Sequence, residues 1–264
     1  MGRSEERVRR HYFGNTTLQR KNGRILLMQM SKKLLNFVFL FVCVVAMLLV
    51  GCNQENMVQQ TSEKLKEGPI IYVALGDSTG AGVGARDGGY VARLFKRMLE
   101  LRPGSQLSNL CVSGATTEDL MRGQLDRGVA LNPDLVTVGI GINDIGHDFT
   151  LEQFSKNYEQ IISTLKQKTH AQIVVTNIPD ISSAPRIPGP LRNEYQRRIV
   201  QFSERLAEIA NRHGVTVFDI HTITKAELPS HPEYFSADGF HPSDKGYELW
   251  ASEMWPTLAG VIGE

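Results

Sequence analysis

Four short segments of this 264-residue sequence carry side chains that could act together on a carbonyl group. They are Gly76-Asp77-Ser78, Ser113-Gly114-Ala115, Gly141-Ile142-Asn143-Asp144 and Asp238-Gly239-Phe240-His241-Pro242. A serine hydroxyl is a weak nucleophile until an imidazole takes its proton. The imidazole in turn needs a carboxylate to hold its tautomer and stabilise its cation. Asp238 and His241 stand three residues apart and can pair within one turn of chain. The oxygen that becomes negative in a tetrahedral intermediate needs donors already in place. The Ser78 and Gly114 amides and the Asn143 carboxamide are the candidates. The chemistry these parts could do is acyl transfer.

Such a set works only if the fold brings it together, and the surrounding sequence supplies the elements. Ile70–Leu75, Leu107–Val112, Leu135–Ile140, Ile173–Ile178 and Val215–Ile220 are short, apolar and partly β-branched, as buried strands should be. Between them run helical stripes. Val91, Leu94, Met98 and Leu101 form one, closed by Pro103-Gly104. Leu151, Phe154, Tyr158, Ile161 and Leu165 form another, opened by Thr150 with Gln153 three residues on, a capping box. Leu191 to Ile209 form a third, ending before Gly214, and a last helix follows Ser243. Regular alternation of strand and helix predicts a parallel sheet covered on both faces, over about 196 residues. Ligands of such sheets bind at the carboxyl ends of the strands. Three of the four segments directly follow a strand, and the fourth lies past the fifth.

Taken together, the blocks Gly76-Asp77-Ser78, Gly114, Gly141-x-Asn143-Asp144 and Asp238-x-x-His241-Pro242 resemble those of the GDSL, or SGNH, hydrolase family, in order across residues 70–245. The resemblance implies a three-layer α/β/α sandwich on a flavodoxin-like, five-stranded parallel sheet. It also implies hydrolysis of esters or thioesters, lysophospholipids among them, with no metal and no cofactor. It assigns Ser78 as nucleophile, His241 as base and Asp238 as the acid that orients it, with Gly114 and Asn143 completing the oxyanion hole. Thr79 departs from the leucine in the family name, which leaves the nucleophile untouched but changes the packing beside it.

Two rival motifs overlap the serine. Gly76-x-Ser78-x-Gly80 matches a nucleophile elbow, but that fold places its oxyanion loop upstream, where only one strand of this domain lies. Gly80-x-Gly82-x-x-Ala85 matches a dinucleotide fingerprint, yet no acidic residue ends the second strand to hold a ribose. Among the other histidines, His147 is expected to be exposed, His170, His213 and His221 to be surface or boundary residues, and His231 to have no partner. Asp77 and Asp144 are expected to structure their own loops. No His/Cys/Asp cluster has metal-ligand spacing.

The first fifty residues are of another kind. Lys32-Lys33 precede an unbroken apolar run from Phe37 to Val50, which ends in Leu49-Val50-Gly51-Cys52. That is the pattern of a secretory signal peptide with a lipobox-like end, so Cys52 is the expected site of lipidation and of attachment to a membrane. Met28 and Met30, just before the lysine pair, are the expected translation starts. The domain plan is then leader and signal over 1–51, lipidated cysteine and flexible linker over 52–68, and hydrolase domain over 69–264. Residues 1–51 hold nine basic and two acidic residues, so 52–264 carry 20 and 26, a net of −6 hidden in a whole-chain charge of +1. An acidic exported part disfavours nucleic acid as a partner. With Cys43 in the signal and Cys52 acylated, Cys111 has no disulfide partner.

The function expected is a membrane-tethered extracytoplasmic esterase acting on a small-molecule or lipid ester. Removal of O-acetyl groups from carbohydrate or peptidoglycan is the alternative within the family. A non-catalytic lipid- or carbohydrate-binding module is the alternative outside it. The loop 179–190, with Phe149 and Phe240, is expected to wall an acyl pocket.

Overall fold

The computed structural model describes residues 68–263. The leader, the apolar run, Cys52 and the linker up to residue 67 lie outside them. The elements are β1 (Ile71–Gly76), α1 (Ser78–Ala81), α2 (Tyr90–Leu101), β2 (Gln106–Asn109), α3 (Thr117–Leu120) and α4 (Asp126–Ala130). There follow β3 (Leu135–Gly139), α5 (Ile142–Gly146), α6 (Leu151–Lys168), β4 (Gln172–Thr176), α7 (Arg192–Arg212), β5 (Thr216–Phe218), α8 (Ile220–Glu227) and α9 (Asp244–Val261). A wide turn of π-helix, Met121–Leu125, joins α3 to α4.

The five strands form one parallel sheet in the order β2-β1-β3-β4-β5. This is the flavodoxin-like arrangement, whose direction reverses between β1 and β3. Side chains alternate along each strand and so feed two cores. Val73, Leu75, Val136, Val138 and Val175 pack against α6 and α7 through Phe154, Ile161, Phe202 and Leu206. Tyr72, Ala74, Leu135 and Val174 pack against α2 and α9 through Tyr90, Leu94, Trp250 and Met254. The expected three-layer sandwich is thus formed.

The strands are shorter than their apolar runs at the edges of the sheet. β2 stops at Asn109 rather than Val112, and its four residues are exposed or half-buried. Past that point the Leu110 and Val112 amides still donate to the Ala74 and Gly76 carbonyls of β1, while the Asn109 side chain takes up the next turn: its Nδ2 donates to the Gly80 carbonyl (2.8 Å) and its Oδ1 accepts from the Cys111 amide (3.1 Å). The Thr150–Gln153 capping box opens α6 as its spacing predicts. Helix α8 is short and rich in β-branched residues, which lower helix propensity. It is started instead by Asp219, whose side chain accepts from the Thr222 amide.

Candidate active site

The nucleophile segment is built where β1 and β3 converge. The Asp77 amide donates to the Gly139 carbonyl at 3.2 Å. A Cβ at Gly76 would lie 2.3 Å from that same oxygen, so only glycine lets the two strand ends approach. Asp77 then caps α1, its Oδ1 accepting from the Thr79 amide (2.9 Å) and the Thr79 hydroxyl (2.8 Å). This Asx turn forces the chain into a helical turn at Ser78, whose amide, at the first helical position, has no intrahelical acceptor.

A second hold on this segment comes from far along the chain. Gln124 is 1% exposed, and its carboxamide grips Gly76 at both ends. Oε1 accepts from the Gly76 amide and Nε2 donates to the Gly76 carbonyl, each at 2.8 Å. The backbone beyond Asn109 still reaches the Gly76 carbonyl through the Val112 amide (3.1 Å), and the Gln124 carboxamide supplies the acceptor for the Gly76 amide. The extra residue in the π turn lies in the same segment, Met121–Leu125, that carries this side chain. Gln124 escaped notice in the sequence, although a glutamine four residues after the buried Leu120 was a signal that a polar group faces the core.

His241 reaches the serine from the loop before α9. Its Nε2 lies 3.0 Å from Ser78 Oγ and its Nδ1 lies 2.6 Å from Asp238 Oδ2. The other carboxylate oxygen of Asp238 accepts from the Ser236 hydroxyl (2.8 Å), the Phe240 amide (2.8 Å) and the His241 amide (3.0 Å). Burial works against the charged form of Asp238. The bonds from His241, Phe240 and Ser236 outweigh it and hold the carboxyl well below the usual carboxylate range. The loop is folded back on itself, with the Ser236 amide donating to the His241 carbonyl (2.8 Å) and the Ser243 amide to the Tyr234 carbonyl (2.8 Å). Gly84 presses against it from the glycine-rich loop after α1. At φ +96° and with a virtual Cβ 2.6 Å from the Pro242 carbonyl and 2.9 Å from His241 Cβ, this position admits no side chain.

The remaining candidates sit on two linked loops. Gly114, at φ +79°, occupies the tight turn closed by the Ala115 amide on the Val112 carbonyl (3.1 Å). Asn143 Nδ2 donates to the Ala115 carbonyl at 2.9 Å, which orients the carboxamide from the side of the Gly114 turn. Its neighbour Asp144 is fully buried and accepts from the Thr117 amide (3.0 Å) and hydroxyl (2.5 Å), tying the loop after β3 to the start of α3. Asp77 and Asp144 therefore do structure loops. Burial pushes each carboxyl up to about 6, against the opposing bonds from Thr79 and Thr117 respectively.

Two expectations are corrected. His231 has partners: Nδ1 lies 3.2 Å from Glu233 Oε1, Nε2 lies 3.6 Å from Glu227, and the ring stacks on Tyr234. Phe149 does not line the pocket beside Ser78, whereas Pro179, Ile181 and Phe240 do. Phe149 belongs to a backbone clamp in which the Arg198 guanidinium donates to the Phe149 (2.7 Å) and Ile145 (2.9 Å) carbonyls. His147 is exposed. Among the described residues no group of three His, Cys, Asp or Glu could hold a metal ion, and no helix is long and apolar enough to cross a membrane.

The sequence profile of the GDSL-like Lipase/Acylhydrolase family matches residues 74–249, the span that holds all of these groups. A GDSL-like esterase of Mycobacterium tuberculosis is 28% identical over 201 residues, which cover 74% of this chain and 63% of that protein's length. An arylesterase of Vibrio mimicus is 27% identical over 203 residues, 74% of this chain and 87% of the relative. A lipase/acylhydrolase from Enterococcus faecalis superimposes with a TM-score of 0.57 at 27% identity, over 72% of this chain and 95% of that one. An acetylxylan esterase from Geobacillus stearothermophilus shares the fold with a TM-score of 0.60 at 21% identity, over 76% of this chain and 97% of its own.

Proposed function

Because the chain belongs to the GDSL-like lipase/acylhydrolase family, we propose that it hydrolyses carboxylic esters through an acyl-enzyme on Ser78. The observation that carries this reading is the unbroken relay from Ser78 Oγ through the His241 ring to Asp238, at 3.0 and 2.6 Å. In the first half-reaction Ser78 Oγ attacks the ester carbonyl carbon and His241 Nε2 takes its proton. The carbonyl electron pair moves onto oxygen. The Ser78 and Gly114 amides and the free N–H of the Asn143 carboxamide stabilise that oxyanion, each donor contributing on the order of 10²–10³ in rate. As the intermediate collapses, the alkoxide leaves with the proton from His241, and the acyl group stays on Ser78. Water then repeats the sequence: His241 takes a proton from it, the new intermediate collapses, and Ser78 Oγ recovers its proton as the carboxylic acid departs. Asp238 holds Nδ1 protonated throughout and stabilises each transient imidazolium.

The proposed setting is the bacterial cell envelope outside the cytoplasm, with Cys52 acylated and the hydrolase domain tethered to a membrane by the linker. The lipobox-like Leu49-Val50-Gly51-Cys52 after the apolar run supports it. Incorporation of labelled palmitate that persists in a Cys52→Ser variant would overturn it. The esterase reading is tested with the full chain and p-nitrophenyl butyrate. Turnover that falls to the level of buffer in Ser78→Ala is expected, and equal turnover by wild type and variant would refute it.

A further inference from the structure

A pocket opens beside Ser78 and His241, walled on one side by α8 and on the other by α9. About 600 Å3 of space free of protein atoms lies between these walls, open solvent included. Ile220, Thr224 and Leu228 succeed one another at intervals of four residues, so they form a single stripe ~12 Å long on the α8 side. Leu249 and Trp250 face them from α9. The Trp250 ring is stacked flat on Tyr90, with centroids 4.7 Å and planes 4° apart, which makes that wall rigid.

The threonine hydroxyls on the walls are already bonded within the protein. Thr224 Oγ1 donates to the Ile220 carbonyl (2.7 Å) and accepts from the Asp180 amide (2.8 Å), and Thr79 Oγ1 donates to Asp77 (2.8 Å). The surface left to a ligand is almost wholly hydrocarbon and ring. An acetyl group would leave nearly all of it unfilled, and a sugar hydroxyl entering it would lose its hydrogen bonds to water with little in return.

Given ester hydrolysis at Ser78, on which this rests, we infer that the α8–α9 pocket takes the acyl chain of the substrate. The chain it fits is an unbranched hydrocarbon of about six to ten carbons, a length that the ~12 Å stripe can flank. Leu228 is the specificity-determining wall residue. Ile220 and Trp250 belong to the core cluster that covers the sheet, whereas Leu228, buried at 8% exposure, lies outside that cluster, so its size can change with less effect on the sheet's packing.

Burying one methylene favours the transition state by about fourfold in kcat/KM, the equivalent of ~0.8 kcal/mol. For the full chain and p-nitrophenyl esters from C2 to C16, kcat/KM should therefore climb by about that factor per carbon up to C6–C10 and then fall. Leu228→Ala should move the maximum to longer chains and Leu228→Trp to shorter ones, changing the octanoate-to-acetate ratio in opposite directions. A profile that is highest at acetate, or flat, overturns the inference. So does a pair of variants that scale all chain lengths alike. If no ester is cleaved, acetate included, the esterase reading itself fails, and octanoate binding still decides the pocket. Titrated into Trp255→Phe, whose remaining indole is Trp250, octanoate should shift the emission saturably. An unchanged emission at millimolar octanoate refutes the pocket assignment.

Discussion

Replacing Gln124 tests whether a side chain from the π turn holds the nucleophile in place. In Gln124→Leu both 2.8 Å bonds to Gly76 vanish at nearly constant volume. The Gly76 carbonyl keeps the Val112 amide at 3.1 Å, so its loss is partial. The Gly76 amide is left in the protein interior with its acceptor gone. An unsatisfied buried donor costs ~1–3 kcal/mol, and in a domain of this size each kcal/mol lowers Tm by about 2–4 °C. The melt should therefore fall by roughly 2–12 °C. Activity should fall further than stability implies, because Ser78 lies two residues beyond the released glycine. A displacement of ~1 Å at a reacting group costs on the order of 10²-fold, so kcat should drop by about 10–100-fold at temperatures well below the melt, with KM little changed. Gln124→Glu keeps the shape but sets a carboxylate against the Gly76 carbonyl. Its Tm deficit should shrink as pH falls, since the protonated carboxyl can donate to that oxygen again. Differential scanning fluorimetry and initial rates on p-nitrophenyl butyrate read both effects. A Gln124→Leu protein with wild-type Tm and wild-type kcat would refute the positioning role.

Three further perturbations separate the parts of the site. Asp238→Asn preserves the loop but lets Nδ1 lose its proton, and kcat should fall by up to ~10⁴ with little change in KM; a rate within tenfold of wild type would remove Asp238 from the relay. Gly84→Ala places a methyl 2.9 Å from His241 Cβ in a left-handed backbone, so kcat should fall at least tenfold while the far-UV spectrum is retained. Asp144 has a folded pKa of about 6, raised by burial above its ordinary value. The native state therefore holds a proton that the unfolded state has lost, and this contribution is present below pH ~4 and disappears as pH rises through about 6. Asp144→Asn should flatten the loss of Tm between pH 4 and 7, by an amount on the order of 3 kcal/mol at full effect; an unchanged Tm profile in the variant would show that another group carries that dependence.

The relay was legible in the sequence because each of its parts is local. Asp238 and His241 are three residues apart, and Ser78 and Asn143 follow strands whose apolar runs stand out from their surroundings. Even the α6 cap could be read from two residues. What escaped is what only packing brings together. Gln124 and Gly76 are 48 residues apart, and nothing near either one signals that the Gly76 amide will need a side-chain acceptor. His231 finds Glu227 and Glu233 because the chain after α8 tightens into a 3₁₀ turn, Pro232–Tyr234, that its prolines alone did not announce. Phe149 looked like a pocket wall from its place after β3, yet Arg198 from α7 draws its backbone into a clamp on the α5–α6 connection.

The same division bears on substrate choice. The groups that make and break the ester bond act over hydrogen-bond distances, so they must be fixed by short motifs on rigid strand ends. The walls that meet a substrate act through area, and area can be assembled from any residues that a fold happens to bring opposite one another. Here Ile220, Thr224 and Leu228 come from α8 and its C-cap, and Trp250 from α9, where its ring stacks on Tyr90. Two chains of this fold can therefore share Ser78, Asn143, Asp238 and His241 position for position and accept different acyl groups. A comparison of motifs is blind to the α8–α9 stripe. Substrate assignment across such relatives should be made from the residues equivalent to Leu228 and Trp250, and the Leu228 series is the direct measure of how much those walls decide.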